Sequence, residues 1–164
     1  MWSLQKCYKL MKLITLFLII ILDQISKNFI NKNLPINSRY EILPFFEITN
    51  IHNTGISFGL FSGIFSQWFF IIIIGLIIIF IIYWFFNAKE SMEKWALLII
   101  LSGALGNYID RLLNNYVIDF LYFHYKDFYW PAFNVADIAI TIGVFALIID
   151  TYKNYKNRLK ENNE

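Results

Sequence analysis

The chain has 164 residues, room for one domain. It is 58% hydrophobic and only 16% charged, more apolar surface than a soluble domain of this size can hide, so a membrane protein is expected. A net charge of +2, one cysteine (Cys7) and two histidines (His52 and His124) argue against nucleic-acid binding, an internal disulfide, a cysteine metal cage and an HExxH zinc site.

In chain order, the first apolar stretch covers about residues 10–30, "LMKLITLFLIIILDQISKNFI". A long connection, residues 31–66, follows. Within it "EITNIH" (Glu47 to His52) alternates polar and apolar, which predicts a half-buried strand. "GLFSGIFSQWFF" (Gly59 to Phe70) reads as interfacial, with Trp68 anchoring the start of the second span. That span, about 67–86, is the most apolar of all. The third covers about 95–113, "WALLIILSGALGNYIDRLL". In the next connection, residues 114–132, "YVIDFLYF" (Tyr116 to Phe123) is rich in β-branched and aromatic residues and reads as a strand. The fourth span covers about 133–152. Each stretch is about 20 residues long, enough at roughly 1.5 Å per residue to cross about 30 Å of hydrocarbon. The expected fold is an all-α membrane protein, with four transmembrane helices and a small extracytoplasmic β-sheet built from the two longer connections.

Basic residues set the orientation. Lys6, Lys9 and Lys12 precede or open span one, Lys89 and Lys94 flank the short turn after span two, and Lys153, Lys156, Arg158 and Lys160 follow span four. With four spans these nine of the fourteen basic residues fall on one side, so both termini are expected to be cytoplasmic, with loops 31–66 and 114–132 facing outward. Span one is read as a membrane helix rather than a cleaved signal peptide, because "DQISK" and not a small-x-small site follows it. Cys7, preceded by Lys6 and no apolar stretch, is not read as a lipidation site.

Several polar residues fall at one depth, near the outward ends of separate spans. Asp23 and Lys27 are four apart and share a helix face. Asn107, Asp110 and Arg111 end span three, Asn134 and Asp137 open span four, and Asp119 lies just before it. Polar contacts between helices are one reading of this layer. They account less well for Asp119 and Asp137, which remain once Lys27 and Arg111 are assigned to their acidic sequence neighbours. Two neighbouring carboxylates share a proton, as in an aspartic protease, where one activates water and the other donates a proton. A proton relay or ion path is the other reading of intramembrane acids. An ion-coupled carrier would place acids at several depths, but Asp150 is the only other span acid, at the cytoplasmic end and read as solvated.

Competing motifs are weaker. "GISFG" (Gly55 to Gly59) matches the G-x-S-x-G nucleophile elbow, but that elbow needs a strand-turn-helix in an α/β sheet and a histidine partner. Ser26 and Lys27 are adjacent on a helix and point apart, which argues against a Ser-Lys dyad.

The motifs "DQISK" (Asp23 to Lys27), "NTGISFG" (Asn53 to Gly59), "SGALGNYIDRL" (Ser102 to Leu112), "VIDF" (Val117 to Phe120) and "FNVADIAI" (Phe133 to Ile140), in this order across nearly the whole chain, resemble the bacterial lipoprotein signal peptidases, the signal peptidase II family. The resemblance implies an aspartyl endopeptidase of the inner membrane, with no metal or other cofactor. Such an enzyme removes the signal peptide of prolipoproteins just before a diacylglyceryl-modified cysteine. It implies Asp119 and Asp137 as the catalytic pair. Asn53, Gly55, Asn107, Arg111 and Asn134 would line the substrate pocket, with Asp23, Lys27 and Asp110 in support. Prolipoproteins, membrane lipids and the inhibitor globomycin are the implied partners. Ile56 and Ser57 stand where the family prefers two small residues, and Ser102 where glycine is common; an altered signal-peptide preference and slightly looser helix packing would follow.

Overall fold

The computed structural model describes residues 2–55, 66–89 and 91–161. Among the described residues are four helices long and apolar enough to cross a membrane, and a four-stranded antiparallel sheet at one end of them. The order is α1 (Trp2–Asn33), β1 (Arg39–Leu43), β2 (Phe46–Asn53), α2 (Gln67–Asn87), α3 (Ser91–Asn114), β3 (Val117–Tyr125), β4 (Phe128–Tyr129) and α4 (Val135–Glu161). Ile56 and Ser57, most of the "GISFG" pattern and the start of the interfacial stretch lie outside the described residues.

α3 is the central helix and packs against each of the other three. Apolar side chains cover both faces of most spans, yet only a stripe is buried; in α2 it is Phe70, Ile71, Ile78 and Ile81, at helical spacing. Ile78, Ile81, Ala88, Leu97 and Leu101 form the core between α2 and α3. The seam between α3 and α4 is closer. A Cβ on Gly103 would lie 2.3 Å from the Ala136 carbonyl oxygen, and one on Gly143 2.8 Å from that of Ala96. Small residues let the two backbones approach, the usual device where lipid offers no hydrophobic drive to association. Ser102, expected to loosen this region, is fully buried and satisfies its hydroxyl on the Leu98 carbonyl at 2.7 Å.

The sheet is a meander in the order β1-β2-β3-β4, drawn from both long connections. β2 covers the first strand expected from sequence, and β3 covers the second from Val117 on and runs past it to Tyr125. β1 and β4 are additional edge strands, short and exposed on every residue. Ile30 near the end of α1 packs with Ile118 and Phe120, which ties the sheet to the helices. Phe133, just ahead of α4, pairs with Leu121 of β3 through bonds of 3.0 and 2.8 Å. That bridge sets where α4 begins. α3 ends with Asn115 in the left-handed region (φ 63°), a conformation asparagine tolerates, its N–H bonded to the Arg111 carbonyl.

Candidate active site

The site forms where the ends of α1 and α3, the start of α4, and strands β2 and β3 meet. Its layout follows from one irregularity. Ile48 pairs with Leu121 but Ile51 pairs with Asp119, so Thr49 and Asn50 together face a single residue of β3. This bulge shifts the strand's parity by one. Asn53 thereby comes to the same face as Asp119, diagonally across the pair, where its Nδ2 donates to Asp119 Oδ2 at 2.9 Å. A regular strand would turn Asn53 to the opposite face.

Asp119 is 4% exposed, and its other oxygen accepts from Asn134 Nδ2 at 2.7 Å. Burial, then the neighbouring charge of Asp137, pushes its carboxyl up to about 7. The hydrogen bonds from Asn53 and Asn134 oppose that rise.

Asn134 is the N-cap of α4. Its Oδ1 accepts from the Asp137 N–H at 3.0 Å, while Asp137 Oδ2 accepts from the Asn134 N–H at 3.2 Å. The two form a reciprocal capping box, with Asp in the place usually held by Glu or Gln. The remaining Asp137 oxygen accepts from Asn107 Nδ2 at 2.8 Å. Asp137 thus lies in the first turn of a helix, where the backbone favours negative charge.

Behind this pair lies a second polar layer. Lys27, 1% exposed, contacts Asp23 at 2.8 Å, Asp110 at 3.0 Å and Asn107 Oδ1 at 2.8 Å. An ammonium only donates, so it fixes the Asn107 amide with its carbonyl inward and its NH2 toward Asp137. Asp23 also accepts from the Ala136 N–H at 2.9 Å, an otherwise unpaired amide of the first turn of α4. Gly106 leaves room for this carboxylate, since a Cβ there would lie 2.6 Å from Asp23 Oδ2. Asp110 accepts from Gln24 at 3.0 Å and, with a longer contact of 3.4 Å, from the Ile118 N–H.

Arg111 was expected beside Asp110, but it points elsewhere. Its guanidinium donates to the Gly55 carbonyl at 2.9 Å and the Asn107 carbonyl at 3.2 Å, and Asp110 serves Lys27 and Gln24 instead. Adjacent helix positions diverge by about 100°, so neighbours in sequence are not partners here. The same rule separates Ser26, bonded to the Asp23 carbonyl, from Lys27. Asp150 is buried rather than solvated and accepts from Asn154 at 3.2 Å. Among the described residues no group of three or more His, Cys, Asp or Glu side chains could hold a metal ion.

A family model described as signal peptidase (SPase) II matches residues 15–153. The chain belongs to the signal peptidase II family. It is 43% identical over 143 residues to a lipoprotein signal peptidase of Thermodesulfovibrio yellowstonii, covering 87% of this chain and 93% of that one. Against that of Alteromonas mediterranea it is 41% identical over 146 residues, covering 87% and 80%. A solved structure described as a bacterial membrane enzyme determined in meso at 2.3 Å superposes with a TM-score of 0.82 at 33% identity, covering 90% of each chain. This signal peptidase II family member is thus a multi-pass membrane protease that processes signal peptides.

All ten residues singled out from the sequence meet in this one region: Asp119, Asp137, Asn53, Gly55, Asn107, Arg111, Asn134, Asp23, Lys27 and Asp110. Gln24 was missed. It lies inside a quoted motif and bridges Asp23, the Gly106 carbonyl and Asp110. A polar residue one turn before Lys27 in an apolar span was the available signal.

Proposed function

We propose that this chain is an aspartyl endopeptidase that removes the signal peptide of prolipoproteins by cutting just before a diacylglyceryl-modified cysteine. The observation that carries the reading is the pair Asp119 and Asp137, both held by the one side chain of Asn134. Two carboxyls this close share a single proton, and the N–H groups that Asp137 accepts from Asn134 and Asn107 at a helix N-terminus make it the better seat for the charge.

Asp137 is then the general base. As water oxygen bonds to the scissile carbonyl carbon, Asp137 takes a water proton and the Asp119 proton passes to the carbonyl oxygen. The tetrahedral diol collapses when the Asp137 proton moves to the leaving cysteine nitrogen and the C–N bond breaks. Asp119 recovers a proton from the diol hydroxyl, which restores the starting state. Asn53, Asn107 and Asn134 hold the carboxylates in register. Gly55 and Arg111 form the wall against which the substrate backbone lies.

The site lies at the ends of the spans opposite Lys89, Lys94 and the basic residues beyond span four. By the excess of cytoplasmic lysine and arginine it faces outward from the bacterial inner membrane, with both termini cytoplasmic. A scissile bond beside a lipidated cysteine lies at that depth, its acyl chains among membrane lipids. Globomycin is the expected inhibitor. The test is Asp119→Asn and Asp137→Asn in purified protein given a lipidated precursor. Each abolishes cleavage, while insertion and globomycin binding persist, and the double variant is scarcely worse than either single one. Substantial turnover by correctly inserted Asp119→Asn would remove the two-aspartate mechanism.

A further inference from the structure

Gln67 opens α2, within a stretch whose sequence suggests only an interfacial anchor. Its Nε2 donates to the Thr54 carbonyl at 2.5 Å, across the connection from β2. Its Oε1 is buried with no hydrogen-bond partner among the described residues. Among the described residues the bond to Thr54 is the side-chain contact this residue makes.

Thr54 lies at the centre of a tight turn. The Gly55 N–H bonds back to Asn53 Oδ1 at 2.9 Å, an Asx turn that leaves only the NH2 of Asn53 free to reach Asp119. Arg111 of α3 holds the Gly55 carbonyl and Gln67 of α2 holds the Thr54 carbonyl. Two helices thus grip two successive peptide groups beside Asn53. We propose that Gln67 is a positioning residue for peptide cleavage: by holding the Thr54 carbonyl it keeps the Asn53 amide on Asp119.

This inference rests on the assignment of Asp119 and Asp137 above, and its test separates the two. Gln67→Met keeps the length and removes the donor; Gln67→Glu keeps size and polarity but places oxygen against the Thr54 carbonyl, and carries the test should the Met variant fail to insert. Each lowers kcat/KM roughly tenfold, mostly in kcat, the loss expected for one misplaced hydrogen bond. Each also moves the alkaline limb of the pH profile upward, as Asn53→Ala does, because the Asn53 bond favours ionised Asp119. Adding Gln67→Met to Asn53→Ala changes little further. Unchanged kcat, or an additive loss with the limb unmoved and only the Tm lowered, overturns the proposal. If Asp119→Asn is inactive while the Gln67 variants match the parent protein, the Gln67 inference alone falls. If Asp119→Asn is active, both fall.

Discussion

Asn134 donates to Asp119 through one end of its amide at 2.7 Å and caps α4 through the other at 3.0 Å. The side chain that starts the helix carrying Asp137 is therefore the one that grips Asp119. The bridge between Phe133 and Leu121 holds that asparagine in place from the backbone side. Capping and positioning can be separated, because they use different atoms.

Asn134→Ser and Asn134→Ala do so. Serine caps helices about as well as asparagine, whereas alanine loses about 1 kcal/mol of helix stability at such a position. Serine is too short to cap α4 and still reach Asp119. Thermal unfolding in detergent is expected to place Asn134→Ser near the parent and Asn134→Ala below it, with both strongly impaired in cleavage of a lipidated precursor. Full activity in Asn134→Ser would show that the Asp119 contact is dispensable.

A pH dependence follows from Asp119. Its carboxyl stands at about 7 in the folded protein against an ordinary 3.8. Between those values the folded state holds a proton that the unfolded state lacks, so stability falls as pH rises. This contribution is fully present below the ordinary value and is lost once the pH passes about 7. Denaturation midpoints across that window should decline in the parent protein and decline less in Asp119→Asn. On the proposed mechanism the kcat/KM profile should fall on its alkaline side near the same pH, since the proton that Asp119 would give the carbonyl oxygen is then gone.

Much of this was legible in sequence because membranes impose strong rules. Long apolar runs are helices, and polar residues within them have to find one another. The helices nevertheless outrun the expected spans, α1 reaching Asn33 and α4 Glu161, since a helix does not end where hydrocarbon does. β1 and β4 were invisible because exposed edge strands show no burial alternation. The bulge at Thr49 and Asn50 left only a faint trace: both are polar yet fully buried, in a strand read as simply alternating. The mistaken pairing of Arg111 with Asp110 came from treating sequence neighbours as spatial ones. That error hid the tie from α3 to Gly55.

Lys27 is the hub of the inner layer, and its removal differs in kind from removal of Asn107. Lys27→Met leaves the buried carboxylates of Asp23 and Asp110 without their cation. Breaking a buried ionic cluster on one side costs about 3–5 kcal/mol, so this variant is expected to accumulate poorly and unfold at much lower temperature. Asn107→Ala deletes the link to Asp137 and one neutral contact of Lys27 but leaves Asp23 and Asp110 their cation, so it should insert and fold, yet cleave slowly. Equal yield and Tm for the two variants would contradict the division into a supporting layer and a reacting one.

Substrate recognition supplies the final prediction. Asp137 opens a helix long and apolar enough to span a membrane, and Asp119 is tied to it through Asn134, so the pair sits at one end of a span. A peptide bond free in solution meets this pair only after partitioning and orienting, whereas a diacylglyceryl cysteine has its acyl chains in the bilayer and its amide near the pair already. Pre-paid orientation of this kind raises effective concentration by orders of magnitude. Purified protein should therefore cut a lipidated precursor at least about a hundredfold faster than the same precursor without lipid, a modest share of that advantage. Supplying free diacylglycerol should not restore cutting, because the benefit comes from attachment. Comparable rates for the two precursors would show that recognition rests on the peptide alone.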